Sequence, residues 1–216
     1  MKKSLIVIAL STVAAFSAVA AEFVRPQLVC GKDAQFFRMV AKEILHFNCK
    51  PLEAASVKAD CDKNNLYLTI AMADDDTLTE ATQNQSQLRT FGDAIQIFLK
   101  SEKETYLWEF QLAPNGKKSC FFHYGAGRMF YPEPGSAFPD FTVVNKLQNG
   151  KWDVSVTIPL SIFRDKGLKF TADEKWTFMI VRHNFSRFHN DRETSSYPQA
   201  VHGTSNPEFF GELVLK

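Results

Sequence analysis

The stretch FGDAIQIFLKSEKETYLWEFQLAPNG, residues 91–116, decides the fold. Ile95, Ile97 and Leu99 alternate with Ala94, Gln96 and Phe98. Beyond the polar turn SEKE, Tyr106, Trp108, Phe110 and Leu112 alternate with Leu107, Glu109 and Gln111. A period of two sends successive side chains to opposite faces of a strand, so the stretch predicts a hairpin. Pro114-Asn115-Gly116 stops its second strand, because proline fixes φ and glycine permits a positive one. An apolar hairpin of this kind needs a second sheet to cover it.

The neighbouring segments supply that sheet. On the N-terminal side, Ala55 to Cys61, a turn at Asp62-Lys63-Asn64-Asn65 and Leu66 to Met72 predict another hairpin, which ends in Asp74-Asp75-Asp76. The polar stretch TEATQNQSQ after it predicts a loop connecting two strands. On the C-terminal side, Ser119 to Gly125 predicts a strand, and Arg128 to Asp140, rich in Pro, Gly and aromatics, a long loop. Phe141 to Leu147 and Lys151 to Ile158 flank Gln148-Asn149-Gly150, whose Asn-Gly is a strong hairpin signal. A short helical turn at Ser161-Ile162-Phe163 follows, then strands at Trp176 to Arg182 and Phe210 to Leu215. Many short strands without intervening helices predict an all-β, antiparallel, jelly-roll-like sandwich. Asp33 to Phe47 carries Phe37, Val40, Ala41, Ile44 and Leu45 at helical spacing behind an aspartate cap, and predicts one short N-terminal helix.

The first 20 residues have a basic start, an apolar run and Ala18-Val19-Ala20, the pattern of a secretory signal peptide. The mature chain is then expected to start at Ala21 and form one domain, residues 21–216, that is secreted, periplasmic or held at the cell surface. No later apolar run reaches the ~20 residues of a spanning helix, so no membrane association is expected. The net charge of +1 and the scattered lysines and arginines argue against a nucleic-acid partner. Cys30, Cys49, Cys61 and Cys120 all follow the signal peptide at spacings that fit no zinc pattern, and their even number predicts two disulfides among three possible connectivities.

The ordered set NNLYLTIAMADDD, GDAIQIFL, YLWEFQLAPNG, WDVSVTIPLSIF, WTFMIVRHNFSR, SSYP and FFGELVL, from about Ser56 to Lys216, resembles the family 9 carbohydrate-binding modules and their relatives. The resemblance implies a jelly-roll-like sandwich that binds sugars without catalysis, often with structural calcium; the partner expected is an oligo- or polysaccharide, met alone or beside a glycoside hydrolase acting on the same glycan. It also implies a site built from a tryptophan before the GDAIQIFL-like strand, an acidic residue within that strand and an aromatic near SSYP. The matching positions here are Phe91, Gln96 and Tyr197, so phenylalanine and a neutral amide replace the first two. Arg182, Asn184 and Arg89 supply further groups for sugar hydroxyls. Asp74, Asp75 and Asp76 offer oxygen ligands for calcium, although they lack EF-hand spacing.

Two other classes bear weighing. A glycoside hydrolase would use paired carboxylates, for which Glu109 with Asp93 or Asp153 are the candidates, but no catalytic motif marks them. A haem-binding DOMON-type electron-transfer sandwich would need axial ligands, for which Met72, Met129, His123 and His183 are available. Core methionines and surface histidines account for the same residues.

Overall fold

The computed structural model describes residues 25–39, 49–84, 88–124, 128–130, 140–187, 191–200, 203 and 206–215. The expected signal peptide, residues 40–47 of the expected helix and residues 131–139 of the expected long loop lie outside the described residues. In chain order the strands are β1 (Gln27–Val29), β2 (Asp33–Gln35), β3 (Phe37–Arg38), β4 (Ala55–Cys61), β5 (Asn65–Ala73), β6 (Ala94–Ser101) and β7 (Tyr106–Leu112). They continue with β8 (Lys118–Tyr124), β9 (Arg128–Phe130), β10 (Thr142–Gln148), β11 (Lys151–Pro159), β12 (Trp176–Ser186), β13 (Asp191–Tyr197) and β14 (Gly211–Val214). The one α-helix among the described residues is α1 (Ser161–Arg164). Short 3-10 turns lie at Leu88–Thr90 and Pro207–Phe209.

Two sheets form. Five strands run in the order β10-β11-β5-β4-β2. Nine strands make the other sheet along β1-β14-β12-β6-β7-β8-β9, with β13 beside β12 and β3 beside β13. Every pairing is antiparallel except β1 with β14, which is parallel. The apolar alternation of β5 faces that of β6 and β7: Leu66, Leu68, Ile70 and Met72 share one core with Ile95, Ile97, Leu99, Trp108, Phe110 and Leu112. This is the sandwich that the 91–116 hairpin demands.

Three differences from the sequence reading concern strands that a hydrophobic period does not reveal. Asp33–Gln35 and Phe37–Arg38 are strands where a helix was expected, because backbone pairing to β4 and β13 outweighs the helical spacing of Phe37, Val40 and Ile44. Arg128–Phe130, read as loop, pairs with β8. Asp191–Tyr197 is almost wholly polar, yet it runs along seven residues of β12.

The loop from β5 to β6 is pinned where it returns to the sheet. Gly92 has φ +125°, and a Cβ there would stand 2.3 Å from the Leu78 carbonyl oxygen, so only glycine fits. Asp93 then accepts hydrogen bonds from the backbone N–H groups of Leu78 at 2.5 Å and Phe185 at 2.6 Å. These contacts fix the entry to β6.

Candidate functional site

In a two-sheet sandwich the outward face of each sheet ordinarily meets water. β6 and β7 depart from this, since their outward residues are buried as well. Part of the cover is apolar: Phe98, Leu107, Met179 and Val181 pack with Ala200, Phe209 and Phe210. The remainder of the same face is polar and hydrogen-bonded, and it forms the candidate site.

Five side chains from five adjacent strands make one row. Arg192 on β13 donates to Nδ1 of His183 on β12, which fixes the proton of that imidazole on Nε2. His183 Nε2 donates to Oε1 of Gln96 on β6 at 2.5 Å. Gln96 Nε2 donates to Oε1 of Glu109 on β7 at 2.5 Å, and Glu109 Oε2 meets Nε2 of His123 on β8. Register explains the alignment. Phe185 lies opposite Arg192, Ala94 opposite His183, Gln111 opposite Gln96 and Phe121 opposite Glu109, so each step shifts two residues along the strands in the same direction. The row therefore runs obliquely and spans roughly 20 Å measured perpendicular to the strands, from four gaps of 4.7–4.9 Å.

Gln96, Glu109 and His183, at 4%, 2% and 1% exposure, form its floor. Its two ends, Arg192 and His123, are half-buried. Gln111 braces the floor by donating to Glu109 Oε1 at 2.6 Å while accepting from the Leu88 backbone N–H at 2.8 Å. That second bond holds the 3-10 turn carrying Arg89 against the row. Burial, then the charges of Arg192 and Arg89, hold the His183 imidazole well below its ordinary pKa, so it is neutral near pH 7. Phe91, one residue beyond the turn, is exposed at 39%.

Of the residues singled out from sequence, Arg89 and Gln96 thus lie at this face, with exposed Phe91 on the segment leading into β6. The structure puts the others on the opposite side of the same sheet. Arg182 is 1% exposed, donates to the Glu53 carbonyl oxygen at 3.2 Å and carboxylate at 3.0 Å, and lies 3.3 Å from Asp74. Asn184 donates to the Glu53 carboxylate at 2.7 Å and accepts from Arg182 at 3.1 Å. Tyr197 packs on Phe178, and its hydroxyl donates to the Gln27 carbonyl oxygen at 2.7 Å. All three serve contacts between the sheet and its interior neighbours.

The aspartate triplet diverges. Asp74 faces Arg182, whereas Asp76 accepts from the backbone N–H of Arg187 at 2.8 Å and from its guanidinium at 3.3 Å. Guanidinium groups already supply the positive charge there, and among the described residues no group of three or more His, Cys, Asp or Glu side chains is arranged to hold a metal ion. The triplet does not fit a shared calcium ion. Met72 lies in the main core while His123 and His183 lie on the outer face of the nine-stranded sheet, so Met72 pairs with neither across one haem. The side chain of Met129 is outside the described residues. Glu109 and Asp153 point away from each other on different sheets, and Asp93 is taken up by two backbone N–H groups.

Sequence reasoning missed the row as a unit and missed Arg192 altogether, although it named Gln96, Glu109, His123 and His183 separately. The available signal was the recurrence of long polar side chains at outward positions: Gln96, Glu109, Gln111, His123 and His183 all occupy the face opposite the apolar alternation.

Among solved structures, the chain is similar to a proposed carbohydrate-binding protein of Bacteroides uniformis, with TM-score 0.66 and 11% identity over 89% of this chain and 97% of that one. It is also similar to a carbohydrate-binding module of family 9 (CBM9) from Caldicellulosiruptor kristjanssonii. The fold is CBM9-like. With that module in complex with cellotriose, the TM-score is 0.55 at 17% identity, covering 89% of this chain and 94% of the module. With the glucose complex it is 0.55 at 16% identity, covering 88% and 95%. No family model matches the sequence, and no protein of curated function does. The CBM9-like sandwich is therefore carried by shape at identities where sequence similarity has faded.

Proposed function

We propose that this chain is an exported, noncatalytic carbohydrate-binding protein whose ligand is an oligosaccharide received along the oblique row. The observation that carries this is the row itself: fixed amide, carboxylate, imidazole and guanidinium groups crossing five strands of a CBM9-like sheet. A sugar offers hydroxyl rims and apolar C–H faces, and recognition needs oriented donors and acceptors for the first and an aromatic surface for the second. Glu109 is the acceptor of the floor, Gln96 carries both a donor and an acceptor, and Arg89, Arg192 and His123 are the groups nearest solvent. Phe91 supplies the aromatic surface. Binding is favoured over hydrolysis because the solved structures that this chain resembles include carbohydrate-binding modules.

The CBM9 neighbour is solved with cellotriose and with glucose, which makes cello-oligosaccharides the first ligands to try. Export follows from the signal-peptide pattern of residues 1–20. Calorimetric titration with glucose and cellotriose, beside a glycan array, tests the reading. Phe91→Ala is expected to weaken sugar binding by about tenfold, equivalent to ~1.4 kcal/mol, with an unchanged melting temperature because Phe91 is exposed. Absence of binding to every glycan, or unaltered affinity in a folded Phe91→Ala protein, refutes this assignment.

A further inference from the structure

Cys30 follows β1, which belongs to the nine-stranded sheet through β14, whereas Cys61 closes β4 in the five-stranded sheet. Their sulfur atoms nevertheless stand 3.7 Å apart with no bond between them. A backbone hydrogen bond from Gly31 N–H to the Ala59 carbonyl oxygen, 2.7 Å long, holds the two chain segments together at that point. A disulfide requires sulfurs at about 2.05 Å, so closure asks for a movement of roughly 1.7 Å. Side-chain rotation supplies displacements of that size.

The other two cysteines are arranged differently. Cys120 lies in the main core between the sheets. Cys49 packs against Phe98, Met179 and their neighbours on the outer face. The nine-stranded sheet separates the two environments, so Cys49 and Cys120 have no path to each other without unfolding strands. Burial also pushes the Cys120 thiol far above its ordinary pKa, which suppresses the thiolate needed for exchange.

We propose that Cys30 and Cys61 are a disulfide site that straps β1 to β4, and that Cys49 and Cys120 stay reduced. The strap replaces the two bridges expected from the cysteine count. The oxidant is a low-molecular-weight or protein disulfide, met in the oxidising compartment to which export delivers the chain. The half-buried Cys61 sulfur, as thiolate, attacks a sulfur of glutathione disulfide and releases one glutathione thiolate. The Cys30 thiolate then attacks the Cys61 sulfur of the mixed disulfide and expels the second glutathione. Two thiols are oxidised, one external disulfide is reduced, and the two protons pass to solvent and the glutathiones. Because the bridge closes a loop between residues 31 apart, it restricts the unfolded chain and raises the melting temperature by about 5–15 °C.

The full-length protein is incubated with glutathione disulfide, alkylated under denaturing conditions and digested for peptide mass analysis. The expected products are a peptide pair linked through Cys30 and Cys61, with Cys49 and Cys120 alkylated. Alkylation of Cys30 and Cys61, or a link through Cys49 or Cys120, overturns the proposal. The oxidised protein is then melted with and without dithiothreitol, beside Cys61→Ser. Reductant is expected to lower the melting temperature of the unmutated chain and leave Cys61→Ser unmoved; equal responses overturn the strap. Should Cys61→Ser fail to fold, the mapping of the unmutated chain still decides. None of these measurements involves sugar, so failure of the strap is distinct from failure of the binding function.

Discussion

Arg182 occupies a position on β12 where the alternation Trp176, Phe178, Ile180 calls for an apolar side chain. It is tolerated because Glu53, 129 residues earlier, meets it with a carboxylate and a backbone carbonyl, and Asp74 and Asn184 close around the same guanidinium. No local pattern in the sequence can announce a partner so distant, and an arginine leaving a strand invites assignment to ligand. Arg182→Leu leaves the Glu53 and Asp74 carboxylates buried without their counter-ion, and is expected to destabilise the fold by about 3–5 kcal/mol in urea unfolding. A loss below ~1 kcal/mol would show that those carboxylates reach water. Asp93 poses the opposite problem, a carboxyl only 1% exposed. Burial raises its pKa to about 7, against the lowering effect of the N–H groups of Phe185 and Leu78. The folded state therefore keeps a proton that the unfolded state, near 3.8, has lost. Stability from this group falls as pH rises between those values, by up to ~1.4 kcal/mol per unit, and is level above them. His183, depressed below its ordinary value, acts in the opposite sense at acid pH, so the test is a comparison of variants. Between pH 5 and pH 8 the unmutated protein is expected to lose about 2–3 kcal/mol more than Asp93→Asn. Parallel curves would mean that Asp93 is ionised throughout.

At the scale of elements, legibility follows locality. The hairpins β4–β5 and β6–β7 were readable because each carries its own apolar alternation on both sides of a polar turn, and β10–β11 because Asn149-Gly150 marks its turn ahead of the alternating β11. β13 was not, because DRETSSY has no apolar period and holds its place by pairing with the β12 backbone. β1, β2 and β3, two or three residues long, are too short to show any period. The burial of β6 and β7 on both faces was equally hidden, since the cover of the outer face comes from residues such as Ala200, Phe209 and Phe210, far along the chain. The Gly92 turn is the local device that sets the entry of β6 and, through it, the position of Gln96. Gly92→Ala forces a Cβ into the Leu78 carbonyl at a φ that alanine rarely adopts. It is expected to destabilise by at least ~2 kcal/mol in chemical denaturation. A neutral outcome would show that residues 78–93 can leave the sheet without cost.

Across the whole molecule the two sheets divide their work. The five-stranded sheet contributes one buried face, Val57, Leu68, Ile70, Val154 and Val156 among its residues, and acts as the support. The central strands β6, β7 and β12 of the nine-stranded sheet are buried on both faces, and the outer face of that sheet carries the oblique row, so a ligand received there acts on β13, β12, β6, β7 and β8 before anything else. Ligand that binds only the folded state raises stability by mass action, about 2.7 kcal/mol at a concentration one hundred times Kd. For a domain of this size that corresponds to a rise in melting temperature of roughly 5–10 °C. Hydrogen exchange then locates the effect, because protection by a bound sugar concentrates in the strands whose opening the ligand opposes. With cellotriose at saturation, slower exchange is expected at the amides of residues 94–98, 107–111, 121–123, 181–185 and 192–194, while β10, β11 and β4 exchange as before. If protection instead gathers in the five-stranded sheet, the oblique row is a structural device that rigidifies the larger sheet, and the sugar site lies elsewhere.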